Sequence, residues 1–285
     1  MKKTTFLAAA CMLLVSGSLC GQEAKTRLYP FSFEYNSQRT LLLAYHAPQG
    51  YDRFPLSKMS EFQVWLTNLS LRKPGASVHD WQGQILIPAD SVAGILDISV
   101  SSHNQKDADL PLYLLWMYHR VKGNFDKMSI ILSKTDTLMY SRWLEGSYSL
   151  RPGGGLIFKP GKKRQHSLRD FYRCLEMAMS QTDSKNLLLN LTPIAEKEVR
   201  PGDLFIQFRD DDPDSAGHTA MIFDVCRGKQ VNDILLLAAW GADPPQSIYI
   251  PLNNPESKHN PWLTVAELQQ QLANFGPGRF YRFAR

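Results

Sequence analysis

Three apolar runs crowded between Pro201 and Trp240 constrain this chain more than any other feature. Pro201-Gly202-Asp203 leads into Leu204-Phe-Ile-Gln-Phe208, Gly217-His218 opens Thr219-Ala-Met-Ile-Phe-Asp-Val225, and Asp233 opens Ile234-Leu-Leu-Leu-Ala-Ala-Trp240. The breaks between them are built of Asp, Pro, Gly, Ser and basic residues, the formers of turns. Parallel neighbours would need a crossover of a dozen residues or more, which these breaks cannot supply. The three runs are therefore expected as antiparallel strands in series.

Upstream the periodicity changes. Phe62-Gln-Val-Trp65-Leu66-Thr-Asn-Leu69 spaces its apolar residues by three and four, behind Ser60 as cap and Glu61 in the first turn. Asp107 and Asp109 precede Leu110-Pro-Leu-Tyr113-Leu-Leu-Trp116-Met-Tyr-His-Arg120, apolar nearly all round, with Pro111 in its first turn and Arg120 near its end. That is the polarity and composition of a buried helix. Leu168 to Ser180 reads as an amphipathic helix capped by Ser167. Strands are expected at Leu41–Leu43, Ile85–Pro88, Gly94–Val100 and Lys127–Leu132. Helices first and a strand meander last is the order of an α+β fold, with a buried helix packed on a mostly antiparallel sheet. Neither a linker nor a repeat divides residues 22–285, which are expected to form one domain.

Residues 1–21 have their own logic. Lys2 and Lys3, the apolar run Phe6 to Val15 and the small Ser16-Gly17-Ser18 make the charged start, short apolar middle and small-residue exit of a secretory signal. The run is too short to cross a bilayer, and no later stretch is longer. Cys20 adds an alternative, a lipid anchor on the first residue after cleavage. Leu19 stands before it, where that processing takes Gly, Ala or Ser, so plain cleavage near Cys20 to Gln22 is the expectation. The chain is read as exported, periplasmic or at the cell surface.

Charge and cysteines exclude several classes. The net charge of +5 comes with scattered basic residues and one cluster, Lys159-Pro-Gly-Lys-Lys-Arg164, in a Gly/Pro turn, so no nucleic-acid partner is expected. Cys174 and Cys226 could pair in an oxidising compartment or be buried as two small apolar side chains. No His-x-x-x-His or Cys-x-x-Cys spacing occurs; no metal and no cofactor are expected.

His218 is the candidate for chemistry. It stands at the mouth of its strand, after Gly217 and the polar turn Asp210 to Ser215. Alternation puts His218, Ala220, Ile222, Asp224 and Cys226 on one face and Thr219, Met221, Phe223 and Val225 on the other, a core face. Cys226 lies roughly 26 Å along the strand from His218, out of reach. Cys174 falls inside its helix, where the helix dipole does not activate a thiol. Asp203, after Pro-Gly, is expected to bond turn amides.

A Pro-Gly-Asp strand followed by a Gly-His strand resembles the arrangement in which papain-like and NlpC/P60-like cysteine hydrolases hold their general base. Over most of its length the chain also resembles the bacterial family known only as domain of unknown function 4846. The resemblance lies in Pro48-Gln-Gly-Tyr51-Asp-Arg53, Trp65 to Pro74, Leu96-Asp-Ile-Ser-Val100, Trp143-Leu-Glu-Gly146, Pro201 to Ile206, Gly217 to Asp224 and Asn260-Pro-Trp262. It implies a papain-like core with N-terminal elaborations, a Cys at the start of the helix after the Leu96-Asp97 strand, and a polar orienting residue after the His strand. This chain departs at both places, reading Asp109-Leu-Pro-Leu-Tyr113 and Leu237-Ala-Ala-Trp240.

An imidazole without its partners loses most of its rate advantage, because such residues act as a unit. The expectation is a non-catalytic or degenerate hydrolase-fold protein of the cell envelope. Its cleft, near His218, Asp109, Tyr113, Asp224 and Trp240, would bind a peptide or glycan fragment, with some of the six tryptophans lining it. The alternatives are an active cysteine hydrolase with His218 as base, and a purely structural partner.

Overall fold

The structure is a computed structural model and describes residues 35–99, 107–152, 155–209, 216–230, 233–253, 261–272 and 276–284. The expected leader (residues 1–21), including Cys20, and Val100 lie outside the described residues.

The first part of the chain is a series of short elements. These are helix α1 (Leu41–Ala44), strand β1 (Asp52–Arg53), helix α2 (Glu61–Thr67) and strands β2 (Val78–His79), β3 (Ile85–Ile87) and β4 (Val92–Ile95). Leu41 to Leu43, expected as a strand, forms α1: the single bridge from Thr40 to Ser70 ends the extended chain, and the Ala44 and Tyr45 amides turn back to Thr40 and Leu41. Around α2 the sequence reading holds closely. Ser60 accepts from the Gln63 amide and the Gln63 side chain returns to the Ser60 amide, a complete capping box.

Next come α3 (Asp109–Lys122), the hairpin β5 (Ser129–Ile131) and β6 (Thr137–Met139), α4 (Tyr140–Glu145), the hairpin β7 (Gly146–Leu150) and β8 (Leu156–Pro160), and α5 (Leu168–Ser180). As its composition requires, α3 is buried from Asp109 through Leu114 and again at Trp116, Met117 and Tyr118. It ends at Gly123 in the left-handed conformation, where glycine has no Cβ to clash. Helix α5 starts at its Ser167 cap and buries Phe171, Cys174, Leu175, Ala178 and Met179.

The remainder is α6 (Ser184–Leu187), β9 (Leu191–Ile194), β10 (Leu204–Phe208), β11 (Ala216–Arg227), β12 (Ile234–Trp240), β13 (Tyr249–Pro251), α7 (Val265–Gln271) and β14 (Gly278–Phe283). The three expected strands are β10, β11 and β12, and they are antiparallel neighbours. They sit in a six-stranded sheet of order β1-β11-β10-β14-β9, with β12 on the other side of β11. The chain is therefore a mixed α+β protein with antiparallel sheets.

Both faces of this sheet are core. Leu204, Ile206, Phe208, Met221, Phe223, Leu237 and Ala239 join the cluster that holds α3 and α5. Phe205, Ala220, Ile222, Val225, Leu236 and Ala238 pack with Leu268 of α7 and with Leu272. The expected single alternation along β11 fails at two bulges. One extra residue lies between Ile222 and Asp224 opposite β12, so Val225 joins Ala220 and Ile222 while Cys226 crosses to the face of Met221 and Phe223. A bulge moves every later side chain to the other face, which is why Cys226 does not share a face with Ala220.

Candidate functional site

The second bulge lies at His218. Opposite β10, Ile206 pairs with Thr219 and Phe208 with Ala216, leaving β11 one residue longer between them. Bulges of this kind re-aim side chains at the ends of strands. The His218 ring meets Asp107, the residue two before α3: Nδ1 and Asp107 Oδ2 form a short hydrogen bond and ion pair. The imidazole is thus held at the start of α3 by a carboxylate, not by a group on β12.

Electrostatics shape the pair. Burial pushes the Asp107 carboxyl upward, the His218 hydrogen bond pulls it back, and the charge of Asp243 pushes it up again. The hydrogen bond to Asp107 raises the His218 ring above its ordinary 6.5, outweighing the burial that lowers it. At neutral pH the ring holds a proton more often than a free histidine does. With 37% of its side chain exposed, against 16% for Asp107, His218 is the solvent-facing member.

The residues on both sides of His218 are braced by Ser184. Its hydroxyl donates to the Gly217 carbonyl in a short bond and lies 3.0 Å from the Thr219 hydroxyl. Ser184 is buried at the start of α6, whose cap Asp183 accepts from the Asn186 amide. Its hydroxyl is committed to the strand that carries the imidazole.

The other expected site residues lie elsewhere. Asp109 is 2% exposed, inside the first turn of α3. Tyr113, one turn further on, is a core residue whose phenol burial pushes up. Asp224 is fully buried at the bulge opposite β12; Arg53 Nε lies 2.7 Å from its Oδ2, and the Val225 amide donates to its Oδ1 at 2.8 Å. Trp240 lies on the neighbouring strand: it pairs with Ala220, two residues along from His218, and is partly buried with its ring 6.4 Å from that of Tyr249. Of the remaining tryptophans, Trp65, Trp116, Trp143 and Trp262 are core and Trp81 is exposed.

Cys174 and Cys226 are separate free thiols, both fully buried. Burial raises both, Cys226 to about 12. Asp203 does more than bond a turn amide: besides accepting from the Arg200 amide at 2.7 Å, it takes two bonds from Arg282 of β14, each at 2.7 Å. Pro-Gly-Asp here clips one strand to another. Among the described residues, no group of three His, Cys, Asp or Glu is placed to hold a metal ion.

Asp107 and Ser184 are the partners that sequence reasoning missed. Asp107 carried a signal, an acid ahead of a helix, yet that position has its own explanation in the helix dipole. Ser184, like many serines, carried none.

The sequence model of the family described as domain of unknown function (4846) matches residues 41–282, and the chain belongs to that family. No curated protein and no solved structure matches it.

Proposed function

We propose, from membership of a family whose description names no activity and from a site that keeps an imidazole–carboxylate pair, that this chain is a non-catalytic or degenerate hydrolase-fold protein. It binds a peptide or glycan fragment of the cell envelope. The scaffold is read as papain-like, close to NlpC/P60 hydrolases. The protein is read as exported, periplasmic or at the cell surface, with a lipid anchor at Cys20 as the alternative form.

The observation that carries this reading is the Asp107–His218 pair at the start of α3, on a half-exposed ring. A ring biased toward imidazolium donates charge-assisted hydrogen bonds to carboxylates or carbonyls, which peptides and glycan fragments both present. Cysteine-based covalent catalysis needs a thiolate within reach, and both thiols among the described residues are buried with raised pKa values.

The same pair favours a second reading, a hydrolase with His218 as general base. Asp107 on Nδ1 supplies the orienting member of a triad and fixes the tautomer.

The test adds a soluble muropeptide digest to the protein and follows the His218 ring signals by NMR while assaying the mixture for newly released amines. Displaced His218 signals with no new amines, and no alkylation of the native thiols by iodoacetamide, are expected. Amines released by the wild type but not by His218→Ala would establish hydrolysis. Signals that never move would remove both readings.

A further inference from the structure

Residues 142–173 hold eight Lys or Arg and two Asp or Glu, a net of +6, while the whole chain carries +5. The rest of the molecule is therefore close to neutral. The excess positive charge belongs to one packed assembly of α4, the β7–β8 hairpin, the loop after it and the first turns of α5. The Gly161 amide donates to the Glu145 backbone carbonyl at 2.9 Å and the Arg164 amide to the Leu144 carbonyl at 2.7 Å. Arg164 pairs with Asp170 at 3.1 Å while lying 5.1 Å from the Trp143 ring centre, and Arg142 lies 5.2 Å from that of Phe158. These contacts fix the cations to a folded platform, and Arg142, Lys159, Lys162, Lys163, Arg169 and Arg173 are exposed on it.

The outward side of α5 adds an independent observation. While Phe171, Cys174 and Leu175 face the core, Leu168 (55% exposed) and Tyr172 (39% exposed) lie one turn apart on the water side, interleaved with Arg169 and Arg173. A purely solvated helix face is polar. Large apolar groups among cations are the pattern of a helix that rests at a lipid interface.

We propose that this face docks on an anionic phospholipid surface. The lysines and arginines meet the headgroup phosphates, and Leu168 and Tyr172 enter the headgroup–acyl boundary. A nucleic acid would use the same cations, but its phosphodiester backbone offers Leu168 no apolar phase.

Cosedimentation of the full secreted chain with vesicles of phosphatidylcholine alone, and of phosphatidylcholine mixed with phosphatidylglycerol, tests this; any lipid anchor contributes equally to both. Binding should be stronger on the mixed vesicles and weaken as salt rises. Lys162→Ala with Lys163→Ala should reduce that preference roughly 25-fold, about fivefold per charge. Leu168→Ser should reduce the binding that persists at high salt. Equal binding to both vesicles, or a preference that survives the loss of both lysines, overturns the proposal. So does binding of duplex DNA without binding of anionic vesicles.

Discussion

Replacing Arg53 by alanine should cost the fold about 3 kcal/mol, because of the charge it strands. Asp224 is fully buried, and even beside Arg53 its carboxyl is pushed up to about 6 from an ordinary 3.8, chiefly by burial. The native state thus binds a proton more readily than the unfolded chain between these values. Stability falls as pH rises through that window, and by neutral pH the ionised carboxylate has cost roughly 3 kcal/mol relative to acid. Arg53 keeps the cost at that level: its Nε lies 2.7 Å from Asp224, its guanidinium bonds the carbonyls of Leu42 and Tyr45, and it lies 5.7 Å from the Trp262 ring centre.

Breaking a buried pair costs about 3–5 kcal/mol, and the lower end applies because Arg53 is 19% exposed. For a chain of this size the midpoint of thermal unfolding should fall by about 6–12 °C. Urea unfolding at two pH values separates the causes. Without Arg53, which pulls it down, the Asp224 carboxyl rises further, so the deficit should shrink by about 1 kcal/mol between pH 7 and pH 5. Adding Asp224→Asn to Arg53→Ala removes the stranded charge and should restore about 1–2 kcal/mol at pH 7. A double variant no more stable than Arg53→Ala, with a deficit equal at both pH values, would refute the charge argument and leave only lost packing and hydrogen bonds.

Two further outcomes are expected. Asp107→Asn removes the bond that raises the His218 ring, so burial acts alone and the ring should titrate below 6.5 by NMR; the stability the pair contributes below pH 6.5, lost as pH rises through the raised value, should disappear with it. A value unchanged in the variant would mean that Asp107 does not control the imidazole. Gly278→Ala should cost about 1–3 kcal/mol in urea, since a Cβ there would lie 2.1 Å from the Phe205 ring, which is fully buried with its centre 5.0 Å from that of Phe280. Wild-type stability in that variant would mean that the ring moves freely.

What the sequence determined by itself is what neighbouring residues decide. Ser60 and Ser167 mark the starts of α2 and α5 because a cap is a contact across three residues, and the apolar run after Asp109 has no face fit for water. The series β10, β11, β12 is antiparallel because its connections are short. The tertiary structure decided the rest. Alternation along β11 breaks at bulges that depend on the register of the strands on either side, and no local pattern encodes register with a distant partner. Strand β14 enters the middle of the sheet between β10 and β9, held by Arg282 on Asp203, a bond across 79 residues. The site follows the same rule: His218 was legible at the mouth of its strand, whereas Asp107 meets it across 111 residues of chain, a contact that only the packing of α3 against the sheet could make.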